Sequence, residues 1–336
     1  ESLDSPKDYV QVIREYLTPF FETLSDAIPE KLSQCIVSGN EIQTIASMCN
    51  ATNSLDFSIM ERTAFTKMYK KAKEKGTEAI SMEYDIPQEE VEVLLPSLIV
   101  LNRLLKYTVN DSILLSNVLL SDAVMFEMLF PKEASFVVKA YEEFTLQSAT
   151  SIAERFGRDI GHISRVSSVA IEIYDKMKKL HGYKSRERTL LQVSAILQDI
   201  GKYVNVKNHA LLSYNTITNL DIVGINDHER LIIATVCYYH NGNIPSMDSP
   251  IYNQLSQEDR VMVSKLAAIL QISNAINTSH SPKFEQVSVN MKNGKLNIYL
   301  TTLKNINLEK WAFIAKSKLF KEVYGLNATI IKRGVL

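Results

Sequence analysis

The chain has 336 residues, 37 Lys+Arg against 38 Asp+Glu, 46% hydrophobic residues and 22% charged ones. That length and balance suit a sizeable core shared among two or three domains, and they exclude a disordered tail, a collagen-like repeat and a disulfide scaffold. The net charge of −1 hides a split: residues 1–150 hold 13 Lys+Arg and 23 Asp+Glu, giving −10, whereas residues 151–336 hold 24 and 15, giving +9.

From the N-terminus, Val10, Val12, Ile13, Leu17, Phe20, Phe21, Leu24 and Ile28 recur at three- and four-residue intervals and predict an amphipathic helix over 8–28. Cys35-Ile36-Val37, Gly39-Asn40 and a helical pattern over 41–48 predict strand, tight turn and helix. The Lys/Glu-rich residues 69–76 read as a solvated helix end. Pro87, followed by Glu89 and Glu90, opens an apolar helix over 91–105, with acids where the positive helix N-terminus favours them. Residues 113–120 are almost unbroken apolar sequence and predict a buried strand. From Lys132 onward helix follows helix: 133–155, 161–181, 187–200, 213–220, 228–240 and 257–277. The end changes character. Residues 284–289 and 296–300 flank Asn293-Gly294, a two-residue hairpin signal, ahead of a helix over 308–324 and a strand over 328–331. The expected class is α+β, mostly α, in three parts: 1–129, a helical body over 130–280, and a ββαβ cap over 281–336.

Cys35, Cys49 and Cys237 are odd in number and lack C-x-x-C spacing, so neither a disulfide framework nor a zinc knuckle is indicated and a reducing cytoplasm is the expected setting. No apolar run reaches membrane-spanning length unbroken, and the acidic opening Glu1-Ser2-Leu3-Asp4 does not read as a signal peptide. Lacking an initiator Met, the chain is expected to be a piece of something longer. Lys70-Lys71-Ala72-Lys73 and Lys176-Met177-Lys178-Lys179 read as solvated helix faces, without the flanking aromatics that a nucleic-acid platform requires.

His162, His209 and His240 are the histidines with informative neighbours, and Leu197-Gln198-Asp199-Ile200-Gly201-Lys202 resembles the Leu-His-Asp-Ile-Gly-Lys of HD-type domains. Around it, Tyr174-Asp175, His181-Gly182, Asn208-His209, Ser213-Tyr214, Tyr239-His240, residues 265–270 and Ser279-His280 resemble, in order and spacing, the C-terminal half of the exopolyphosphatase and guanosine pentaphosphate phosphohydrolase (Ppx/GppA) family, from about residue 147 to 280. Upstream, residues 94–101 with Ser116 and Leu120 are similar to the end of that family's actin-like, sugar-kinase-like module. On that resemblance, residues 1–129 close its second lobe, and Ser38, Gly39 and Asn40 form a strand-to-helix turn facing the phosphate cleft.

The resemblance implies that the whole protein hydrolyses a terminal phosphoanhydride of polyphosphate or guanosine pentaphosphate, with Mg²⁺, as a homodimer. The family's first lobe, with its phosphate loops and catalytic Glu, finds no match, so no catalytic residue is expected in this chain and the missing N-terminal lobe is an expected partner. An HD metal site takes a His, a His-Asp pair and a distant Asp, and the positions here read His162, Gln198, Asp199 and Asn274. Two ligands become neutral amides, so no metal is expected. Leu212, Gln271 and Asn277 likewise stand where a His, an Arg and an Asp are usual. His162 and Asp199 are expected as a buried pair hydrogen-bonded to each other, with His240 at a helix end and His209 in a turn. What remains is polyanion binding by the basic half, with Ser38, Gly39, Asn40, Arg158, Arg165, Lys202, Lys207, His209 and His240 as candidate contacts. A non-enzymatic anion sensor and a working HD-type metal-dependent phosphohydrolase are the rival readings.

Overall fold

The computed structural model describes residues 6–28, 31–54, 57–292 and 294–334. They form an α+β, mostly helical protein that divides into two compact units, Glu1–Ala134 and Ser135–Leu336. Counted at that boundary, the first unit carries 12 Lys+Arg and 21 Asp+Glu and the second 25 and 17, so the charges are −9 and +8.

In the first unit, α1 (Pro6–Ala27) leads to β1 (Cys35–Val37), α2 (Asn40–Met48), β2 (Thr52–Asn53), β3 (Phe57–Glu61), α3 (Arg62–Tyr84), α4 (Gln88–Leu104), β4 (Ser112–Ser116) and α5 (Leu120–Leu129). The strands form one sheet in the order β1-β4-β3-β2, with β1 parallel to β4 and the other neighbours antiparallel. The turn expected at Gly39 is present: φ is 139°, in the region that favours glycine, and α2 begins directly after it. Two expectations need correction. Residues 69–76 do close a helical run, since Gly76 (φ 79°, ψ 176°) kinks α3 there, but they are not a solvated end: Tyr69, Ala72 and Gly76 are buried, because Phe65, Met68 and Ala72 continue a helical stripe whose intervening lysines point outward. The apolar run from 113 is a strand only to Ser116. The Asp122 carboxylate accepts the Leu119 backbone N–H at 2.9 Å and starts α5 there. Along β4 only Ile113 and Leu115 are fully buried, the alternation of a sheet packed on one face. Helix α5 has no buried residue although seven of its ten residues are apolar; Leu120, Met128 and Leu129 are 82%, 78% and 70% exposed.

The second unit runs α6 (Ser135–Arg155), α7 (Ile160–Lys176), α8 (Lys178–His181), α9 (Ser185–Leu197), a 3-10 turn over Ile200–Tyr203, α10 (His209–Ile217), α11 (Asp227–Tyr239), α12 (Pro250–Asn253), α13 (Gln257–Ile276), β5 (Gln286–Lys292), β6 (Lys295–Thr301), α14 (Asn307–Tyr324) and β7 (Asn327–Arg333). Its centre is α13, where Val263 and every residue from Leu266 to Ser273 are buried; a helix apolar on nearly all sides must lie inside. It packs against α7, α11 and, most extensively, α14. Side-chain caps fix the helix starts: Asp159 accepts Gly161 N–H, Asn226 and Glu229 form a capping box, and Ser256 accepts Asp259 N–H. β5 and β6 form the expected hairpin, with Gln286 opposite Thr301 and Gly294 left-handed at φ 66°; Asn293 lies outside the described residues. β7 returns through α14 to pair parallel with β6. The inward residues Val289, Leu296, Ile298 and Leu300 join the same core as the helices.

Candidate functional site

The segment after α9 is held against the start of α10 by backbone contact. A Cβ on Gly201 would lie 2.2 Å from His209 O and 2.5 Å from Ser213 N, so only glycine permits this approach. Gly201 N–H donates to Ser213 Oγ (2.9 Å), which donates to Gln198 O (2.8 Å). The clamp places His209, first residue of α10, beside Asp199, which opens the 3-10 turn. His240, directly after α11, completes the group. Asp199 is 5% exposed and His240 fully buried.

The two oxygens of Asp199 face different partners. Oδ1 is 3.3 Å from His240 Nε2 and 3.6 Å from His209 Nε2, and these nitrogens are 3.3 Å apart. His209 Nδ1–H donates to Val206 O at 2.7 Å and His240 Nδ1–H to Cys237 O at 2.5 Å. Because carbonyls only accept, each of these rings, when neutral, carries its proton on Nδ1 and presents a lone pair at Nε2. Oδ2 accepts from Lys202 Nζ at 2.7 Å and lies 3.9 Å from His162 Nε2. The direct His162–Asp199 hydrogen bond expected from the sequence is therefore not formed. His162 Nδ1 instead accepts from Asn277 Nδ2 at 2.9 Å, and its ring stacks on His280 with centroids 4.0 Å apart.

Burial works against the Asp199 carboxylate, but His240 and Lys202 outweigh it and hold its pKa well below the usual range. Burial, with His280 beside it, pushes His162 down to about 4. Burial also lowers His209 and His280, assisted by His240 and Lys202 respectively. At neutral pH the site thus presents the Asp199 carboxylate beside uncharged imidazoles at His162, His209 and His280. Lys316, from α14, lies within electrostatic reach, with burial lowering its pKa and Asp199 opposing.

Of the residues singled out from the sequence, the structure brings His162, Gln198, Asp199, Lys202, His209 and His240 into this neighbourhood. Arg165 adjoins it through His162 and His280. Asn274 is half-buried, and it is Asn277, just past the end of α13, that reaches His162. Arg158 donates Nε to Phe156 O, and Lys207 is exposed. Ser38, Gly39 and Asn40 belong to the first unit, where Glu41, Glu89 and Glu90 line a groove of about 430 Å³ with Asn40, charges that repel an anion. Lys316 was missed, since nothing in the sequence ties α14 to residues 199–202. His209 in a helix rather than a turn was signalled by Asn208 before an apolar run.

Eight buried side-chain nitrogen or oxygen atoms among the described residues have no hydrogen-bond partner. Six of them belong here: His162 Nε2, Arg165 Nε, Gln198 Nε2 and Oε1, Asp199 Oδ1 and Asn277 Oδ1. Such groups are costly when buried unpaired, so their concentration marks a place built to meet something. Residues 146–319 match the model of the family described as Ppx/GppA phosphatase, domain III, a span that contains every one of these residues. The chain belongs to the Ppx/GppA phosphatase family. The Mg²⁺ expected for Ppx/GppA hydrolysis does not fit this donor set, because Mg²⁺ takes oxygen ligands in near-octahedral array and two imidazole nitrogens dominate here. No helix among the described residues of this Ppx/GppA chain is long and apolar enough to cross a membrane.

Proposed function

We propose that the chain works within a Ppx/GppA phosphatase that hydrolyses a terminal phosphoanhydride of polyphosphate or guanosine pentaphosphate, and that the second unit binds a phosphate group of that anion. On this reading residues 1–129 close an actin-like lobe, 130–280 form an HD-like body, 281–336 form a cap, and the protein is a cytoplasmic homodimer. The catalytic Glu, the phosphate loops and Mg²⁺ belong to the family's first lobe, outside this sequence.

The observation that carries the binding role is the set of buried donors without partners. With Asn277 Nδ2 donating to Nδ1, the neutral His162 ring has its proton on Nε2. That N–H, Arg165 Nε–H and the Gln198 amide N–H are buried with no hydrogen-bond acceptor, and the first of them faces the same Asp199 oxygen as Lys202. Phosphate oxygens are strong acceptors, and the unit's +8 charge favours an anion at any approach. Labelled polyphosphate titrated at two salt concentrations tests this, with a log–log slope of roughly −0.7 per phosphate contact expected for a flexible polyanion. Binding should weaken with salt and drop in Arg165→Ala and Gln198→Leu. Equal affinities, or no salt dependence, would refute it. No phosphate should be released by this chain alone. A metal-dependent hydrolase is the second reading, favoured by the convergence of Asp199, His209 and His240.

A further inference from the structure

The His240–Asp199–His209 side of the site carries its own inference, independent of phosphate binding by the donors of His162, Arg165 and Gln198. Three lone-pair atoms, Asp199 Oδ1, His209 Nε2 and His240 Nε2, converge with separations of 3.3, 3.3 and 3.6 Å, and Asp199 Oδ1 has no hydrogen-bond donor. Acceptors repel at such range unless something positive lies between them. A proton on one nitrogen satisfies a single contact of the three, whereas a cation at the centre satisfies all of them.

The dimensions select the cation. Four ligands at about 2.0–2.1 Å, the usual Zn²⁺–nitrogen and Zn²⁺–oxygen distance, lie about 3.3–3.4 Å apart along each edge of a tetrahedron. The separations here match that face nearly without adjustment. Two imidazole nitrogens and one carboxylate oxygen suit Zn²⁺ and its first-row neighbours rather than Mg²⁺ or Ca²⁺. Each ligand is also held from behind, as ligands of protein metal sites are: His209 Nδ1–H by Val206 O, His240 Nδ1–H by Cys237 O, and the far oxygen of Asp199 by Lys202. Those hydrogen bonds set the tautomer in which each neutral ring turns its Nε2 lone pair toward the centre, the form that a metal requires. The Gly201 clamp sets His209 in place before any ion arrives.

The geometry points to a mononuclear transition-metal site formed by Asp199, His209 and His240, with a fourth position left for water or an anion. It lies on the Oδ1 face of Asp199, whereas His162 faces Oδ2. None of its three ligands is among the HD-type positions that read as amides, Gln198 and Asn274, so those replacements do not remove it.

The test is metal titration of the full chain, stripped of metal and free of any histidine tag, with Zn²⁺ and with Co²⁺. One equivalent of Zn²⁺ should bind, and Co²⁺ should give the intense visible bands of a tetrahedral ion. His209→Gln and His240→Gln should each weaken binding beyond the roughly 10–100-fold that loss of a supporting hydrogen bond costs, while His162→Gln should leave it within a few-fold. Zinc-edge X-ray absorption of the wild-type protein should show two imidazoles and needs no variant to fold. Substoichiometric metal, a shell without imidazole, or binding lost in His162→Gln but kept in His209→Gln and His240→Gln would overturn the assignment.

Discussion

Gly201→Ala perturbs the site without altering any of its polar groups. The added methyl would sit 2.2 Å from His209 O, 2.5 Å from Ser213 N and 2.9 Å from Leu212 C, all backbone atoms of α10. Ordinary carbon contacts begin near 3.5 Å, so α10 must retreat by about 1 Å or more. That retreat stretches the Gly201 N–H···Ser213 bond and draws His209 away from Asp199. Overpacking against a rigid backbone belongs at the upper end of its usual range, about 3 kcal/mol, and the weakened hydrogen bond adds about 1 kcal/mol. For a unit of this size, a loss of about 4 kcal/mol lowers the melting temperature by roughly 8–16 °C. Scanning calorimetry of the full chain measures it, with Gly325→Ala as a control: that position has open space for a methyl but a left-handed φ of 66°, and should cost about 1–2 kcal/mol. If Gly201→Ala melts within about 2 °C of wild type, the close approach between the turn and α10 is wrong.

Acid should destabilise the protein from near neutrality. His162 titrates at about 4 when folded and 6.5 in its ordinary state, so the unfolded chain takes up its proton first, and stability present above pH 6.5 is lost as pH falls toward 4. Allowing for solvent screening, the loss is about 1–2 kcal/mol; urea midpoints at pH 7.5, 6 and 5 should fall less steeply in His162→Gln, and an unchanged slope would contradict the assignment. Lys283 Nζ lies 2.9 Å from Glu309, which is fully buried. Lys283→Met should therefore cost about 3 kcal/mol by stranding that carboxylate, and the double change with Glu309→Leu should recover most of it; a double variant no more stable than the single one would show that the charge was not stranded. The exposed apolar helix α5 and the edge strand β1, whose Ile36 is 69% exposed, should drive self-association. Sedimentation at rising concentration should show this, with Leu120→Asp together with Leu129→Asp reducing it; a strictly monomeric wild type would exclude it.

The elements of the second unit were legible because local signals mark them: helical patterns along what became α7 and α13, and Asn293-Gly294 between the hairpin strands. In the first unit local signals misled where tertiary packing decides. The lysines of α3 disguised a buried stripe, and short β3 could not be read from Phe57–Glu61 before its partner β4 was known. The site was legible as a list of residues but not as a geometry. His209 and His240 are 31 positions apart, and the packing of α10 on α11 and on the turn at Gly201, invisible in sequence, brings their rings together. Asn274 and Asn277 flank the last turn of α13, and which of them reaches His162 depends on where that helix ends. The expected His162–Asp199 bond failed because Lys202, one turn along, occupies the nearer oxygen.

The packing of α14 on α13 makes the last residues of the chain inseparable from the helices that bear the site. Phe313, Leu319 and Phe320 are buried against the same core that holds Ile269 and Leu270, and Lys316 on the same helix feels the charge of Asp199. Hydrogen exchange should accordingly show α13, α14 and β6 opening together in one cooperative event rather than peeling in sequence order. Proteolytic removal of the chain beyond residue 281 would then not trim an appendage: it would expose the whole flank of α13 to water and dissolve the frame that sets one histidine against the other.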